Sequence, residues 1–421
     1  MRQRSVDWVG RVTYPPTLAT VLILSVVGLL LRASLLWAAA WVEAENADVQ
    51  LFREWLELIR ANGGLSAFGL EIGNYTPAIP YLFLIGDHLL VGAPDIVVIK
   101  YAAIVADFVA AAFAYRIVRL NFPNGRQPVL AFGVVLLAPT VILNSAVWGQ
   151  TDMVWTAAIV GALFFVLTGR SLVALVLVGI AFAVKQQAEF IFPFFVLLAL
   201  KRVFPWRYFL VIPAVYALLA LPAWLAGRSA WDLATIYVGQ AGTYTRLTLE
   251  APTLYQWLPE SHADVLGPLG ATIGLAILGF LVVLAARSIQ ELTPPVLLAL
   301  ATASVLVTPF LLPRMHERYF FAADVLSIVL AFYVRRLVVV AVIVQLVSLA
   351  SYSPFLVHRE LVPGEFLSAL ELTAILILLR WISSTMTLAT RVKQEPYPAP
   401  DDAGVEAAPW KTCRSDARRG A

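Results

Sequence analysis

Four polar segments interrupt an otherwise apolar chain, and they carry the side chains that acid–base chemistry and phosphate binding require. A carboxylate can act as a general base. Arginine binds phosphate through two parallel hydrogen bonds, and lysine supplies a point charge. In chain order the segments are Asp48, Trp148-Gly149-Gln150-Thr151-Asp152, Lys185-Gln186-Gln187 and Arg314-Met315-His316-Glu317-Arg318-Tyr319. Together they predict a site in which a base lies near a phosphate.

Each polar segment also has a purely structural interpretation. Asp48 suits the N-cap of a following helix, and Trp148 suits an aromatic belt at a membrane interface. Lys185 could extend its ammonium group towards the membrane surface. The arginines of residues 314–318 could form an ion pair within a solvated loop. For each segment taken alone, these interpretations stay open.

The composition limits the class of protein. Of the 421 residues, 60% are hydrophobic and 14% are charged, with a mean hydropathy of +0.82. Soluble domains have about 45–50% apolar and about 25% charged residues, so this composition indicates a helical membrane protein. The net charge of +3 argues against a nucleic-acid partner. The single cysteine, Cys413, excludes an intramolecular disulfide framework, and four scattered histidines argue against a histidine-rich metal site.

Basic residues at the N-terminus set the predicted orientation. Arg2, Arg4 and Arg11 precede an apolar run of about residues 18–41, which is too long for the apolar part of a signal peptide. We therefore expect an uncleaved first span. Because basic residues flank spans on the cytoplasmic side, the N-terminus is expected in the cytoplasm.

The same charge rule predicts an all-α polytopic membrane protein with about twelve transmembrane helices and both termini in the cytoplasm. Spans five and six meet at Lys185-Gln186-Gln187, and span ten ends at Arg335-Arg336. Residues 1–383 form the predicted membrane domain, and residues 384–421 are expected to be a disordered tail. The other spans cover about residues 18–41, 96–120, 129–147, 153–168, 208–225, 265–286, 295–312, 337–355 and 366–382.

The first outer loop, residues 43–77, contains a predicted amphipathic helix. Its apolar residues recur at helical spacing and form one stripe, so the helix is expected to lie along the membrane surface. The same helical phase places Asp48 on the apolar side, facing the membrane body. The stripe consists of Leu51, Phe52, Trp55, Leu56 and Ile59.

In this topology all four polar segments lie on the extracytoplasmic side, where we place the active site. The outer loop of about residues 227–263 is rich in aromatic residues, which suits stacking on a sugar. The chain has neither a nucleotide-binding loop nor a glycine-rich phosphate cradle. An activated sugar would therefore arrive on a lipid phosphate, whose tail lies in the bilayer.

Two further carboxylates are candidates for ion pairs. Asp107 falls well inside span two, where a charge costs about 2.5–3.5 kcal/mol on insertion scales, so we expect it to be neutral or paired within the bundle. Glu189 follows Lys185 closely and could be its partner or a second acid of the site.

The ordered set of motifs resembles the GT-C superfamily of integral membrane glycosyltransferases. The motifs are an acidic first outer loop with a surface helix, Tyr-x-Pro, Trp-Gly-Gln-x-Asp, Lys-x-Gln and Arg-x-His-Glu-Arg-Tyr. The chain looks closest to the prokaryotic, mannosyltransferase-like branch that uses polyprenyl-phosphate sugars, and the resemblance covers about residues 18–383. The acidic motif of the first loop departs from the paired Asp-x-Asp of metal-dependent members, which argues against an obligatory metal.

The resemblance implies roles for individual residues. Asp48 matches the catalytic aspartate, and Lys185, Arg314 and Arg318 match positions that hold the donor phosphate. The other residues expected to line the substrate cavity are Tyr75, Trp148, Gln150, Asp152, Gln187, His316, Glu317 and Tyr319. No cofactor is expected beyond the lipid-linked donor, and the acceptor is a glycan, a lipid or a protein. The resemblance thus implies an inverting glycosyltransferase of the cell membrane.

Two other functions fit a membrane protein with these motifs. A transporter or flippase of a lipid-linked saccharide would place functional charges near the middle of the bilayer and often contains internal repeats. A polysaccharide polymerase or ligase would use an oligosaccharide on a lipid pyrophosphate, rather than a single sugar on a monophosphate.

Overall fold

The computed structural model describes residues 16–38, 47–241, 243–288 and 291–385. The basic N-terminal flank, residues 43–46 of the first outer loop and the tail beyond residue 385 therefore lie outside the described residues. The described chain is almost entirely helical. Its helices are α1 (Pro16–Ala38), α2 (Ala47–Ala61), α3 (Ala78–Leu89), α4 (Asp95–Asn121), α5 (Gln127–Leu136), α6 (Pro139–Ile142), α7 (Asp152–Leu167), α8 (Ser171–Val184), α9 (Phe192–Leu200), α10 (Val211–Leu225), α11 (Ala230–Ala241), α12 (Ala263–Ala286), α13 (Pro294–Leu311), α14 (Phe321–Tyr333), α15 (Val338–Ser351), α16 (Ser353–Leu356) and α17 (Gly364–Ser384).

Seven helical segments of the described chain are long and apolar enough to cross a membrane, as a polytopic helical membrane protein requires. They correspond to predicted spans one, two, seven, eight, nine, eleven and twelve. The other five predicted spans form shorter or broken helices, so helix length alone does not give twelve spans. The seven segments are Leu18–Leu36, Asp95–Asn121, Trp206–Leu225, Glu260–Ala286, Pro294–Leu311, Arg335–Leu356 and Gly364–Ser384.

The third predicted span is broken. Its two parts, α5 and Pro139–Trp148, are bent from each other by 42°. Pro139 lacks a backbone N–H and cannot continue the hydrogen-bond ladder of α5. The second part ends in a π-helical turn, Leu143–Trp148, a geometry frequent at functional sites. Gly149 closes this turn with a φ of +83°, so the chain reverses inside the protein.

The remaining short helices begin or end at polar segments. The segments α7, α8 and Gln186–Leu200 are apolar but shorter than a membrane span, and α14 has only 13 residues. Asp152 begins α7, and Lys185 follows α8 directly. Both side chains are buried, because the polar turns lie within the protein. These helices are therefore shorter than the membrane is thick, and polar turns buried in the protein occupy the rest of the distance.

Helix α2 is the predicted amphipathic helix, but its apolar face packs on protein. It contacts the 3₁₀ turn Gly64–Gly69 and helices α3 and α4. Val49, Phe52, Trp55, Leu56 and Ile59 are buried, whereas Leu51 is 37% exposed. The predicted stripe was therefore wrong at Leu51, since a helical phase centred on Phe52 and Leu56 turns Leu51 outwards.

Helix α13 forms the centre of the bundle and packs against α14, α17 and the turn Gln186–Ile191. All-α is nearly correct, because the described chain adds one short parallel strand pair, β1 (Thr248–Leu249) with β2 (Met315–His316). Thr248 pairs with Met315, and Leu249 pairs with His316. This pairing ties the long loop after α11 to the Arg314–Tyr319 segment.

A buried ion pair joins the lipid-exposed helix α1 to the bundle. Arg32 Nε donates to Asp107 Oδ2 at 2.7 Å, and neither side chain is exposed. Arg32 also donates to the Leu136 carbonyl at the end of α5, at 2.8 Å, and Ser145 Oγ donates to Asp107 Oδ2 at 2.6 Å. The prediction that Asp107 is paired within the bundle is confirmed. The pair fixes α1 to α4 and to both parts of the broken span.

Removing one partner of this pair should destabilise the protein much more than removing both. Arg32→Met leaves the Asp107 carboxylate buried without its cation, and we expect it to lower the free energy of unfolding by about 3–5 kcal/mol. The double variant Arg32→Met with Asp107→Leu should recover most of that loss, because no charge is left buried. Unfolding in detergent micelles measures both quantities.

Arg246→Met is the matched control, because Arg246 is exposed and paired with Glu250 only at the surface. Its effect should stay within about 0.5 kcal/mol. A double variant as unstable as the single variants would contradict the ion-pair account.

Candidate functional site

Asp48 lies in the first turn of α2, where its side chain faces the bundle and is still 36% exposed. Gln150 Nε2 donates to Asp48 Oδ2 at 2.5 Å, across 102 residues of chain. The Arg318 guanidinium lies 3.9 Å from the same oxygen. Asp48 is therefore the accessible carboxylate of a polar cluster whose other members come from distant loops.

A buried ion pair joins Asp152 and Lys185. Lys185 Nζ donates to Asp152 Oδ1 at 2.5 Å, with side-chain exposures of 4% and 1%. Asn144 of the π-helical turn donates to Asp152 Oδ2 at 2.9 Å and orients the carboxylate. Burial alone would lower the pKa of Lys185, but the Asp152 charge outweighs it and raises that pKa above its ordinary value. The partner of Lys185 is thus Asp152. Of the two roles predicted for Glu189, that of partner to Lys185 is therefore wrong.

Arg318 links the two carboxylates. Its Nε lies 3.9 Å from Asp152 Oδ2, and its Nη1 donates to Glu317 Oε1 at 2.9 Å. Burial acts to lower the pKa of Arg318, but Asp48, Glu317 and Asp152 together raise it well above its ordinary value. The guanidinium also lies over the Trp148 ring, 5.6 Å from its centroid. Arg318 is therefore the cation at the centre of the cluster.

We call the connected residues Asp48, Gln150, Asp152, Lys185, Glu317 and Arg318 the polar cluster. It contains three acidic side chains and two basic ones. Four predicted polar segments supply it, from α2, the turn before α7, the end of α8 and the segment after β2. The structure thus brings together residues that lie up to 270 positions apart in the chain.

Aromatic rings and one imidazole surround the polar cluster. The Tyr75 ring lies 5.6 Å from Lys185 Nζ. The His316 ring packs against Tyr244 and Tyr319, with centroids 4.8 and 5.2 Å apart. Burial lowers the pKa of His316 below its ordinary value, so the imidazole is neutral at neutral pH. His316 therefore offers a donor and an acceptor rather than a charge.

Several buried polar atoms around the polar cluster have no hydrogen-bond partner in the described chain. Buried polar groups are normally satisfied, so a concentration of unsatisfied atoms in one place marks a surface for a polar ligand or ordered water. The set contains both donors and acceptors. It includes Gln150 Oε1, Gln187 Oε1, Arg318 Nε and His316 Nε2, whereas His316 Nδ1 and Glu317 Oε2 lie 3.5 Å from each other.

Arg314 has a different place from Arg318. Its φ of +64° is rare for a residue with a side chain, and its backbone N–H donates to the Leu247 carbonyl at 2.7 Å. A Cβ on Gly267 of α12 would lie 3.6 Å from Arg314 Nη2, so the guanidinium lies against that helix. Sequence had grouped Arg314 with Lys185 and Arg318; the structure turns it towards α12.

An apolar groove begins near Arg314. It runs between α12, the 3₁₀ turn Leu254–Trp257 and the end of α13. Helix α12 is mostly exposed and apolar, so the groove opens on the side of the molecule that faces lipid. Among its lining residues are Leu254, Leu258, Leu269, Ile273 and Leu311.

Two residues of the site region were missed in the sequence. Lys100 is fully buried, and its ammonium group donates to the carbonyls of Ala146 and Val147 at 3.1 Å, which holds the π-helical turn. A lysine inside an apolar span was the available indication. Asn144, which orients Asp152, gave no such indication, because an asparagine in an apolar stretch has many structural uses.

A metal ion has no obvious ligands in the described residues, where no group of three His, Cys, Asp or Glu side chains is placed to hold one. The expectation that no metal is obligatory stays a prediction. Comparison with known proteins gives no family model and no curated protein that matches this chain.

Gly149 should be essential for the shape of the polar cluster. Its φ of +83° strains any other residue, and a Cβ would lie 2.9 Å from Lys100 Cε and 3.1 Å from Val49 Cγ2. Backbone strain alone costs about 1–3 kcal/mol. Because the collisions add to it, Gly149→Ala should lower the free energy of unfolding by more than this. It should also displace α2 beside Asp48.

Gly92→Ala provides the matched control. Gly92 has a similar φ of +79°, but nothing lies within 4 Å of the added Cβ. The difference in melting temperature between the two variants measures the collision with Lys100 and Val49. Equal losses in the two variants would mean that the Gly149 contacts do not constrain the turn.

Proposed function

We propose that this protein is an inverting glycosyltransferase of the GT-C type. It moves a sugar from a polyprenyl-phosphate donor to an acceptor hydroxyl on the extracytoplasmic face of the cell membrane. The observation that carries the proposal is the position of Asp48, an accessible carboxylate that lies 3.9 Å from the buried guanidinium of Arg318, which in turn lies beside the buried Asp152–Lys185 pair. General-base catalysis next to an anion-binding group needs this combination.

Arg318 and Lys185 both keep N–H groups that can donate hydrogen bonds to a phosphate. Arg318 Nε is buried and has no hydrogen-bond partner in the described chain. Lys185 carries three donors, and Asp152 accepts one of them. Asp152 and Glu317 are almost fully buried, so they hold the cations in place rather than meeting the acceptor. Asp48 is the carboxylate that an acceptor can reach.

A sugar suits the surroundings of the polar cluster. Hydroxyl groups both donate and accept, as the unsatisfied atoms of Gln150, Gln187 and His316 require. The rings of Tyr75, Tyr244 and Tyr319 provide flat apolar surfaces beside these atoms. The combination supports a carbohydrate more than a purely apolar substrate.

A lipid tail on the donor suits the groove along α12. The groove is apolar, opens towards lipid and begins beside Arg314. The short helices can still be counted among the twelve or so predicted spans. This requires the polar turns of residues 148–152, 185–187 and 314–319 to lie below the outer membrane surface. In that topology the polar cluster lies within reach of a phosphate at the membrane surface, and both termini lie in the cytoplasm.

The proposed reaction is a single displacement. Asp48 accepts the proton of the acceptor hydroxyl. The oxygen of that hydroxyl attacks the anomeric carbon from the face opposite the phosphate. The bond between that carbon and the phosphate oxygen breaks, and both its electrons leave with the lipid phosphate. Lys185 and Arg318 stabilise the charge that develops on the leaving oxygen. Because phosphate is a good leaving group, no second acid is needed, unlike in glycoside hydrolysis.

Asp48→Asn should abolish most turnover without unfolding the protein. The amide cannot accept the proton, so we expect the rate to fall by about 10²–10⁴-fold. Glu54→Gln is the matched control, since Glu54 lies on the exposed face of the same helix. The measurement is transfer of radiolabelled sugar from polyprenyl-phosphate mannose and polyprenyl-phosphate glucose by purified protein in lipid. Normal turnover by the Asn variant would refute Asp48 as the base.

A transporter or flippase is the second candidate, and one observation favours it. Asp324 and Glu371 are fully buried in α14 and α17, and both oxygens of Glu371 have no hydrogen-bond partner in the described chain. Buried carboxylates within a bundle are typical of ion-coupled transport. Movement of a lipid-linked sugar between leaflets, with no release of polyprenyl phosphate, would favour this function. Turnover only with an oligosaccharide on lipid pyrophosphate would instead favour a polymerase or ligase.

A further inference from the structure

Arg228 is a buried cation whose charge no carboxylate of the described chain balances. It follows α10 and Gly227, and only 6% of the residue is exposed. Its Nε is buried without a hydrogen-bond partner, and no ion pair of the described residues includes its guanidinium. Asp232, in the first turn of α11, is exposed and makes no ion pair with it. A guanidinium with a buried, unpaired Nε favours an anion or an equivalent acceptor, because desolvation of that N–H otherwise carries a penalty.

The environment of Arg228 offers further donors to an anion. The phenols of Tyr81 and Tyr216 lie within electrostatic range of the guanidinium. Tyr81 Oη accepts from the Ala223 N–H at 3.0 Å and so keeps its own O–H as a donor. Tyr216 donates to the Leu233 carbonyl at 2.7 Å and is therefore committed to the protein. Helix α11 begins two residues after Arg228, and the N-terminus of a helix favours negative charge.

The flanking residues place Arg228 at the depth of the lipid head groups. Trp224 and Trp231 are 53% and 75% exposed, and Leu225 between them is 70% exposed. Exposed tryptophans next to exposed aliphatic residues mark the boundary between the hydrocarbon core and the head groups. A membrane lipid presents its phosphate at this depth.

We infer that Arg228, with Tyr81 and the N-terminus of α11, binds the phosphate of a membrane phospholipid. The phosphate accepts from the guanidinium and from Tyr81 Oη, and the acyl chains lie along the exposed apolar surface of α10. The site is separate in its residues from the polar cluster, so it does not rest on the proposed transferase function. It would fix the end of α10 and the beginning of α11, the helix that precedes the long loop to β1.

The test is lipid binding by the full-length protein in delipidated detergent micelles, measured by native mass spectrometry. The probes are phosphatidylglycerol and a diacylglycerol glycolipid that has no phosphate. Wild-type protein should bind phosphatidylglycerol more tightly than the glycolipid. Arg228→Met should weaken phosphatidylglycerol binding by about tenfold or more, because it removes a charge-assisted hydrogen bond, and should leave glycolipid binding unchanged.

Arg246→Met is the control for the loss of a positive charge, because Arg246 is exposed and paired with Glu250. It should bind phosphatidylglycerol as the wild type does. Equal weakening in both arginine variants, or no weakening in Arg228→Met, would overturn the assignment.

Melting temperatures separate binding from folding. In micelles without phospholipid, Arg228→Met should melt no lower than the wild type, since it removes a buried charge without a partner. Added phosphatidylglycerol should raise the melting temperature of the wild type and not that of the variant. A wild-type shift of the same size with inorganic phosphate alone would assign the site to a soluble anion and overturn the lipid assignment.

Discussion

The ion pair between Lys185 and Asp152 is the constraint on which the rest of the site depends. Two charges at 4% and 1% exposure are stable only at contact distance and with further hydrogen bonds to the pair. Asn144 supplies one of these by donating to Asp152, and this fixes the π-helical turn next to the start of α7. Arg318 then lies near Asp152, and Asp48 near Arg318. The short helices follow from this arrangement, because their polar ends must meet inside the protein.

Three of the buried charged groups in the described chain differ in how their charge is accommodated. Arg32 and Asp107 balance each other in a fully buried pair in which Arg32 also donates to backbone carbonyls, which suits a structural link. The polar cluster balances most of its charge but keeps unsatisfied donors and acceptors beside an accessible carboxylate, which suits a reaction. Arg228 has no balancing carboxylate in the described chain and lies among exposed tryptophans, which suits an external anion. Burial alone does not separate these cases; the presence of a partner charge and of an accessible carboxylate does.

The two arginines of the Arg314–Tyr319 segment show how local geometry divides residues of one type. A residue in the extended conformation turns alternate side chains to opposite faces, and the pairing of β2 with β1 sets which face His316 takes. The positive φ of Arg314 breaks that alternation and directs its guanidinium to α12, beside the apolar groove. Arg318, in the following 3₁₀ turn, points into the polar cluster.

The sequence by itself determined the membrane class, seven of the long helices, the amphipathic helix α2 and the four segments that carry the polar cluster. These follow from composition, apolar length and helical period, which depend on neighbouring residues only. Tertiary structure decided that the third span breaks, that Asp152 rather than Glu189 pairs with Lys185, and that the Arg314 guanidinium lies against α12. It also buried Lys100 and Arg228, and no sequence motif predicted that burial. Each of these depends on which distant carboxylate or carbonyl comes within hydrogen-bond distance, and spacing along the chain carries no information about that.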